Sequence, residues 1–215
     1  MLTHHFDDNQ MTAQQDILLA LLRLVVRRQV ESGVLDEADR EKLMAIAISQ
    51  AVPVVALDGL QQYDSVRRDS FSLGAERTEK NGGARRRMQW VGQVVATERL
   101  YAKHEKAMAE LARLYAAKGL RMMVLKGYGL SLDWPVPNHR VVGDLDIYNF
   151  GRWREADALV AQNCGIKVEE AHEHHTVFNY KGVMVENHYD FINTKAHRDA
   201  RKIEDRLKLL AEKDC

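Results

Sequence analysis

Three acids stand out by type and spacing. Asp144 and Asp146 lie in Gly143-Asp144-Leu145-Asp146-Ile147, and Glu186 lies in Val183-Met184-Val185-Glu186-Asn187-His188. The first segment alternates apolar and acidic residues with the period of a strand. Residues two apart on a strand share a face, so Asp144 and Asp146 are expected side by side. Two carboxylates so placed repel unless a cation sits between them, and a hard, oxygen-seeking ion such as Mg²⁺ is the usual occupant. Glu186 enters a largely apolar strand, where a lone buried carboxylate is costly. That cost disappears if Glu186 faces the same ion. A fourth feature, Lys126-Gly127, follows the apolar run Met122-Met123-Val124-Leu125.

An acid-x-acid pair alone means little. With 31 acids in 215 residues, chance supplies roughly four such pairs. The order is more specific: strand, Lys-Gly turn, short helix, strand with Asp144 and Asp146, helix, then a hairpin carrying Glu186. The histidines His172, His174, His175 and His188 form a second, looser group. Imidazole suits zinc, but the spacing matches no standard zinc motif and no cysteine joins. Substrate contact by His175 or His188 is the alternative, and ordinary polar strand residues the plain reading. Trp134 and Trp153 read as packing residues. Arg85-Arg86-Arg87 reads as a solvated helix start rather than a phosphate-facing cluster.

The elements that must position these residues can be read in outline. Ile17, Leu18, Leu21, Leu22, Val25 and Val26 recur at helical spacing, predicting a helix over residues 13–31 that ends at Ser32-Gly33. Asp36 is expected to cap a second helix with a core face of Leu43, Ile46, Ala47 and Gln50. Pro53 marks the start of a third helix or a kink. Residues 64–86 are polar and reach Asn81-Gly82-Gly83, which predicts a boundary or long connection. A long helix is expected over residues 88–118, with Val91, Val94, Val95, Tyr101, Met108, Leu111, Ala112 and Tyr115 on its core face, closed by Lys118-Gly119. Strands are expected at 122–125, 141–148, 174–180 and 183–191, the last two joined by Lys181-Gly182. Helices are expected at 128–132, 153–163 and 196–213, the last ending abruptly, as in a chain that continues. The organisation expected is a helical N-terminal region, residues 1–85, followed by an α+β domain, residues 86–215.

Composition narrows the function classes. Lys+Arg and Asp+Glu are both 31, so the net charge is zero, which argues against a nucleic-acid coat or a polybasic membrane binder. Cys164 and Cys215 do not make a disulfide framework and suit a reducing compartment. No run approaches the about 18 apolar residues of a membrane span. The start, Met1-Leu2-Thr3-His4-His5-Phe6-Asp7-Asp8, is acidic, unlike a secretory leader. A cytoplasmic location is the expectation.

Taken together, Leu125-Lys126-Gly127, the Pro137-to-Arg140 loop, Gly143-Asp144-Leu145-Asp146 and Glu186-Asn187-His188 resemble an uncharacterised branch of the nucleotidyltransferases of the DNA polymerase beta superfamily. The resemblance runs from about Leu114 to Asn193. It implies a small mixed β-sheet flanked by helices, and transfer of a nucleoside monophosphate from a triphosphate, ATP by generality, to a hydroxyl of a small molecule or protein. It implies two Mg²⁺ ions held by Asp144, Asp146 and Glu186, with Glu186 nearest the acceptor. It implies triphosphate contacts from Lys126, the Gly127 turn and Arg140. Polynucleotide is not the expected acceptor, given the neutral charge. Tyr128 stands where better-known members carry a second Gly or a Ser. The alternative is therefore a catalytically inactive nucleotide-binding or interaction module on the same fold.

Overall fold

A computed structural model describes residues 8–27, 40–70, 82–170, 173–195 and 198–213. The described chain forms two compact units, one of residues 1–99 with 133–141, the other of residues 100–132 with 142–215.

The first unit is helical. It holds α1 (Asp8–Arg27), α2 (Arg40–Ser49), α3 (Pro53–Ser70) and the start of α4 (Gly82–Ala116). Ile17, Leu18 and Leu21 of α1, Leu43 and Ala47 of α2, Ala56 and Leu60 of α3, and Trp90 of α4 make its core. Two expectations need correction. Residues 64–70 are not a connection, because α3 continues through them to Ser70. Gln50 is exposed, just beyond the end of α2. The expected Ser32-Gly33 stop, the Asp36 cap and the side chains of Val26 and Arg85 to Arg87 lie outside the described residues.

Gly59 explains how α1 and α3 approach. A Cβ there would meet the Leu21 carbonyl oxygen at 2.8 Å and Leu21 Cβ at 2.9 Å. Leu21 is fully buried, so neither helix can yield cheaply. Gly59→Ala is expected to destabilise this unit by about 1–3 kcal/mol, despite alanine's better helix propensity. Urea denaturation checks this; a variant as stable as the parent would show that the helices separate freely.

The second unit is α+β. The end of α4 leads through Gly119, at φ +68°, into β1 (Met123–Val124). There follow α5 (Lys126–Ser131), β2 (Leu145–Tyr148), α6 (Trp153–Cys164), β3 (His175–Tyr180), β4 (Val183–His188) and α7 (Ala200–Lys213). The sheet order is β1-β2-β4-β3. β2 runs parallel to β4, while β1 and β3 are antiparallel to their neighbours. Lys181 and Gly182 turn the β3–β4 hairpin with φ of +52° and +81°, the paired left-handed conformation a two-residue turn requires.

One sheet face is apolar. Leu145 and Ile147 of β2, Val183 and Val185 of β4, and Phe178 and Tyr180 of β3 pack with Leu111 and Tyr115 of α4 and Ala156 and Val160 of α6. Thr176, Asn187 and Asp157 are buried with them. The Asp157 carboxylate accepts hydrogen bonds from Thr176 Oγ1 at 2.9 Å and Asn187 Nδ2 at 2.8 Å, which ties α6 to both strands.

The long helix departs from expectation. Val91 and Val95 are exposed. Its buried stripe runs instead through Trp90, Thr97, Tyr101, His104, Leu111 and Tyr115, the helical phase one position away from the two valines. The second strand begins at Leu145, not Val141, so Asp144 sits in a bend immediately before it.

Candidate active site

The polar sheet face carries the candidate chemistry. β2 and β4 pair in register, with Asp146 beside Glu186 and Tyr148 beside His188. β3 places His175 opposite His188. Alternation along each strand therefore puts Asp146, Glu186, His188 and His175 on the face opposite the apolar core.

Asp146 is the centre. Only 3% of it is exposed. Its Oδ1 accepts from His188 Nε2 at 2.9 Å and from Lys126 Nζ at 2.8 Å. Burial alone raises the pKa of its carboxyl, but the two hydrogen bonds and the positive charges of Lys126 and His188 outweigh this, and the net direction is down. Asp146 is thus held as a carboxylate.

Glu186 shifts the other way. Burial comes first, then repulsion from Asp144 and Asp146, and the net direction is up. Asp144 thus bears on the cluster through its charge, from the bend rather than from the strand. Glu186 lies 3.3 Å from His188 Nε2 and 3.7 Å from His175 Nε2. Asp146, Glu186 and His188 each offer a ligand atom within 4.8 Å of the others. The donor set fits a divalent cation: hard carboxylate oxygens dominate, and mutual repulsion at Glu186 marks where positive charge is wanted.

Lys126 comes from a strained turn. Its φ of +36° is unusual for a side chain with a Cβ. Immediately before it, the Leu125 N–H donates to the Asp146 carbonyl at 2.9 Å. The Lys-Gly turn is thereby fastened to the strand that carries Asp146. Gly129 lets α5 lie close to β1, since a Cβ there would stand 3.0 Å from the Val124 carbonyl oxygen. Tyr128 points into the core; it is 4% exposed and stacks on Tyr101 with ring centres 5.0 Å apart. Arg140 belongs to the first unit, where its guanidinium lies 5.9 Å from the Trp134 ring centre.

The family assignment follows from a sequence comparison that covers this whole arrangement. The model of a family described as "Uncharacterised nucleotidyltransferase" matches residues 36–213. The chain belongs to that family. No curated protein and no solved structure matches it. The match spans every member of the carboxylate cluster of this nucleotidyltransferase family member, together with most of its first unit. Among the described residues no helix is long and apolar enough to cross a membrane.

Two residues of the site were not assigned their places by sequence reasoning. His188 was singled out for substrate contact, yet its ring is buried and turned onto Asp146 and Glu186. His104 was not singled out at all. It is 2% exposed, and its Nε2 lies 2.9 Å from the Gly143 carbonyl, its Nδ1 2.8 Å from that of Leu100. It therefore holds the backbone just before Asp144. The available signal was a histidine at helical spacing with Tyr101, Met108, Leu111 and Tyr115.

Proposed function

We propose that this protein transfers a nucleoside monophosphate from a nucleoside triphosphate, with ATP as donor, to a hydroxyl of a small molecule or protein, on a domain of the polymerase beta type. The observation that carries this reading is the in-register pair Asp146–Glu186 on parallel strands, beside a strained Lys-Gly turn. In the reaction the acceptor oxygen bonds to the α-phosphorus, the bond to the β-phosphate oxygen breaks, and pyrophosphate leaves.

Asp144, Asp146 and Glu186 would hold two Mg²⁺ ions, which when bound neutralise phosphate charge and make the acceptor hydroxyl more acidic. His188 orients the Asp146 carboxylate. Lys126, whose side chain is 54% exposed, exchanges its contact with Asp146 for a phosphate oxygen when the nucleotide arrives. Gly127 leaves the turn without a side chain at the phosphate approach. Glu186, whose carboxyl pKa is pushed up by burial and by the charges of Asp144 and Asp146, takes the acceptor's proton. The inward packing of Tyr128 favours activity over an inert module, because the ring does not stand over the Lys-Gly turn.

A thermal-shift titration with Mg-ATP tests the reading. Wild type should gain about 2.7 kcal/mol of stability at a hundred times Kd, and Asp144→Ala should gain almost none. An equal shift in both proteins would remove the carboxylate site from nucleotide binding.

A further inference from the structure

The histidines beside the carboxylates form a cluster of which the proposed nucleotidyl transfer uses only His188. His174 occupies a bend just before β3. Consecutive strand residues would point to opposite faces, but the bend turns His174 back towards His175, with ring centres 4.6 Å apart. His188 completes the group, its ring centre 5.5 Å from that of His174 and 5.1 Å from that of His175. Each ring offers a nitrogen, and these nitrogens lie within 4.8 Å of one another. The backbone holding His174 is fixed, because its carbonyl accepts the N–H groups of Tyr189 at 3.1 Å and Asp190 at 3.4 Å.

We propose that His174, His175 and His188 form a second metal site, built from nitrogen donors and selective for Zn²⁺, next to the carboxylate site and sharing His188 with it. Three observations point to an ion rather than to ring packing alone. His174 Nδ1 is buried without a hydrogen-bond partner among the described residues, which is costly for a polar atom unless something binds it. All three rings stand within 5.5 Å of one another, centre to centre, so a single ion can reach a nitrogen from each. Imidazole donors suit zinc, while Mg²⁺ prefers oxygen, so the two neighbouring sites differ in chemistry as well as position. Three histidines leave a fourth zinc position for water or a carboxylate. His174 is partly exposed, which gives an ion a way in.

The geometry is independent of the nucleotidyl-transfer reading, and Asp144→Ala keeps the two apart. Co²⁺ serves as the visible probe and Zn²⁺ as its competitor, on the full chain. Wild type and Asp144→Ala should each bind one Co²⁺ with the absorption of a tetrahedral nitrogen site, displaced by Zn²⁺. His174→Ala should lose affinity by more than the roughly 10–100-fold that outer partners of a metal ligand cost. His174→Cys should restore binding and add a sulfur-to-cobalt charge-transfer band, which a variant that merely misfolds cannot give. Cys164→Ser controls for the exposed thiol. The proposal is overturned if wild type binds no Co²⁺, if His174→Ala binds it as wild type does, or if Cys164→Ser abolishes it.

Discussion

Asp146→Asn is expected to lower nucleotidyl transfer by about 10³-fold or more, the scale on which charge stabilisation works in phosphoryl transfer. The substitution keeps the shape of the side chain and an oxygen for His188 and Lys126 to donate to. It removes only the negative charge that a divalent cation needs. The fold should survive, since the apolar face of β2, Leu145 and Ile147, is untouched. Pyrophosphate release in a single turnover is the measurement, paired with a melting curve. A rate within tenfold of wild type would mean that Asp146 holds Lys126 and His188 in place and no metal. The pH dependence adds a second readout. Because the pKa of Asp146 is depressed in the native protein, its stabilising effect is present above the unfolded pKa and is lost as pH falls through the folded one. Asp146→Asn should flatten that acid limb.

Glu186→Gln should separate stability from activity. The pKa of Glu186 is raised above its ordinary value of 4.5. Between the unfolded and folded values the native state binds more protons than the unfolded chain, so stability declines as pH rises through that window. Removing the charge should therefore raise the melting temperature of metal-free protein at about pH 8 and leave it unchanged at about pH 3, below the ordinary carboxylate range. Added Mg²⁺ should stabilise wild type and not the variant. Turnover should drop by about 10²–10⁴, the range for loss of a general base. Equal destabilisation at both pH values would show that Glu186 is a structural acid, bonded to His175 and His188, and would take away its proposed role.

Much of the second unit was legible because its signals are local. Lys181-Gly182 needs only two backbone conformations to make its hairpin, and Gly119 and Gly165 mark helix ends through their own positive φ. The alternation around Asp146 and Glu186 gave the strands. Their register, and with it the meeting of the two acids, depends on pairing between segments about forty residues apart, which no local pattern encodes. The helical phase of α4 was misread for a related reason. Val91 and Val95 look like core residues, but Trp90 and His104 lie on the buried stripe; the helical spacing of His104 hints at burial, while the partner that satisfies its ring, the carbonyl of Gly143, is distant in sequence. Residues 64–70 were misjudged because polarity was taken for irregularity.

The parallel alignment of β2 with β4 also protects the site from misassembly. A slip of a single position would swing Glu186 into the greasy interior beside α6 and push Val185 out towards Asp146. The hydrophobic side of the sheet thus acts as a proofreader for the side that carries the proposed site, and substitutions there, at Val185 or Leu145, are expected to disarm it without altering any of the residues proposed to act in it.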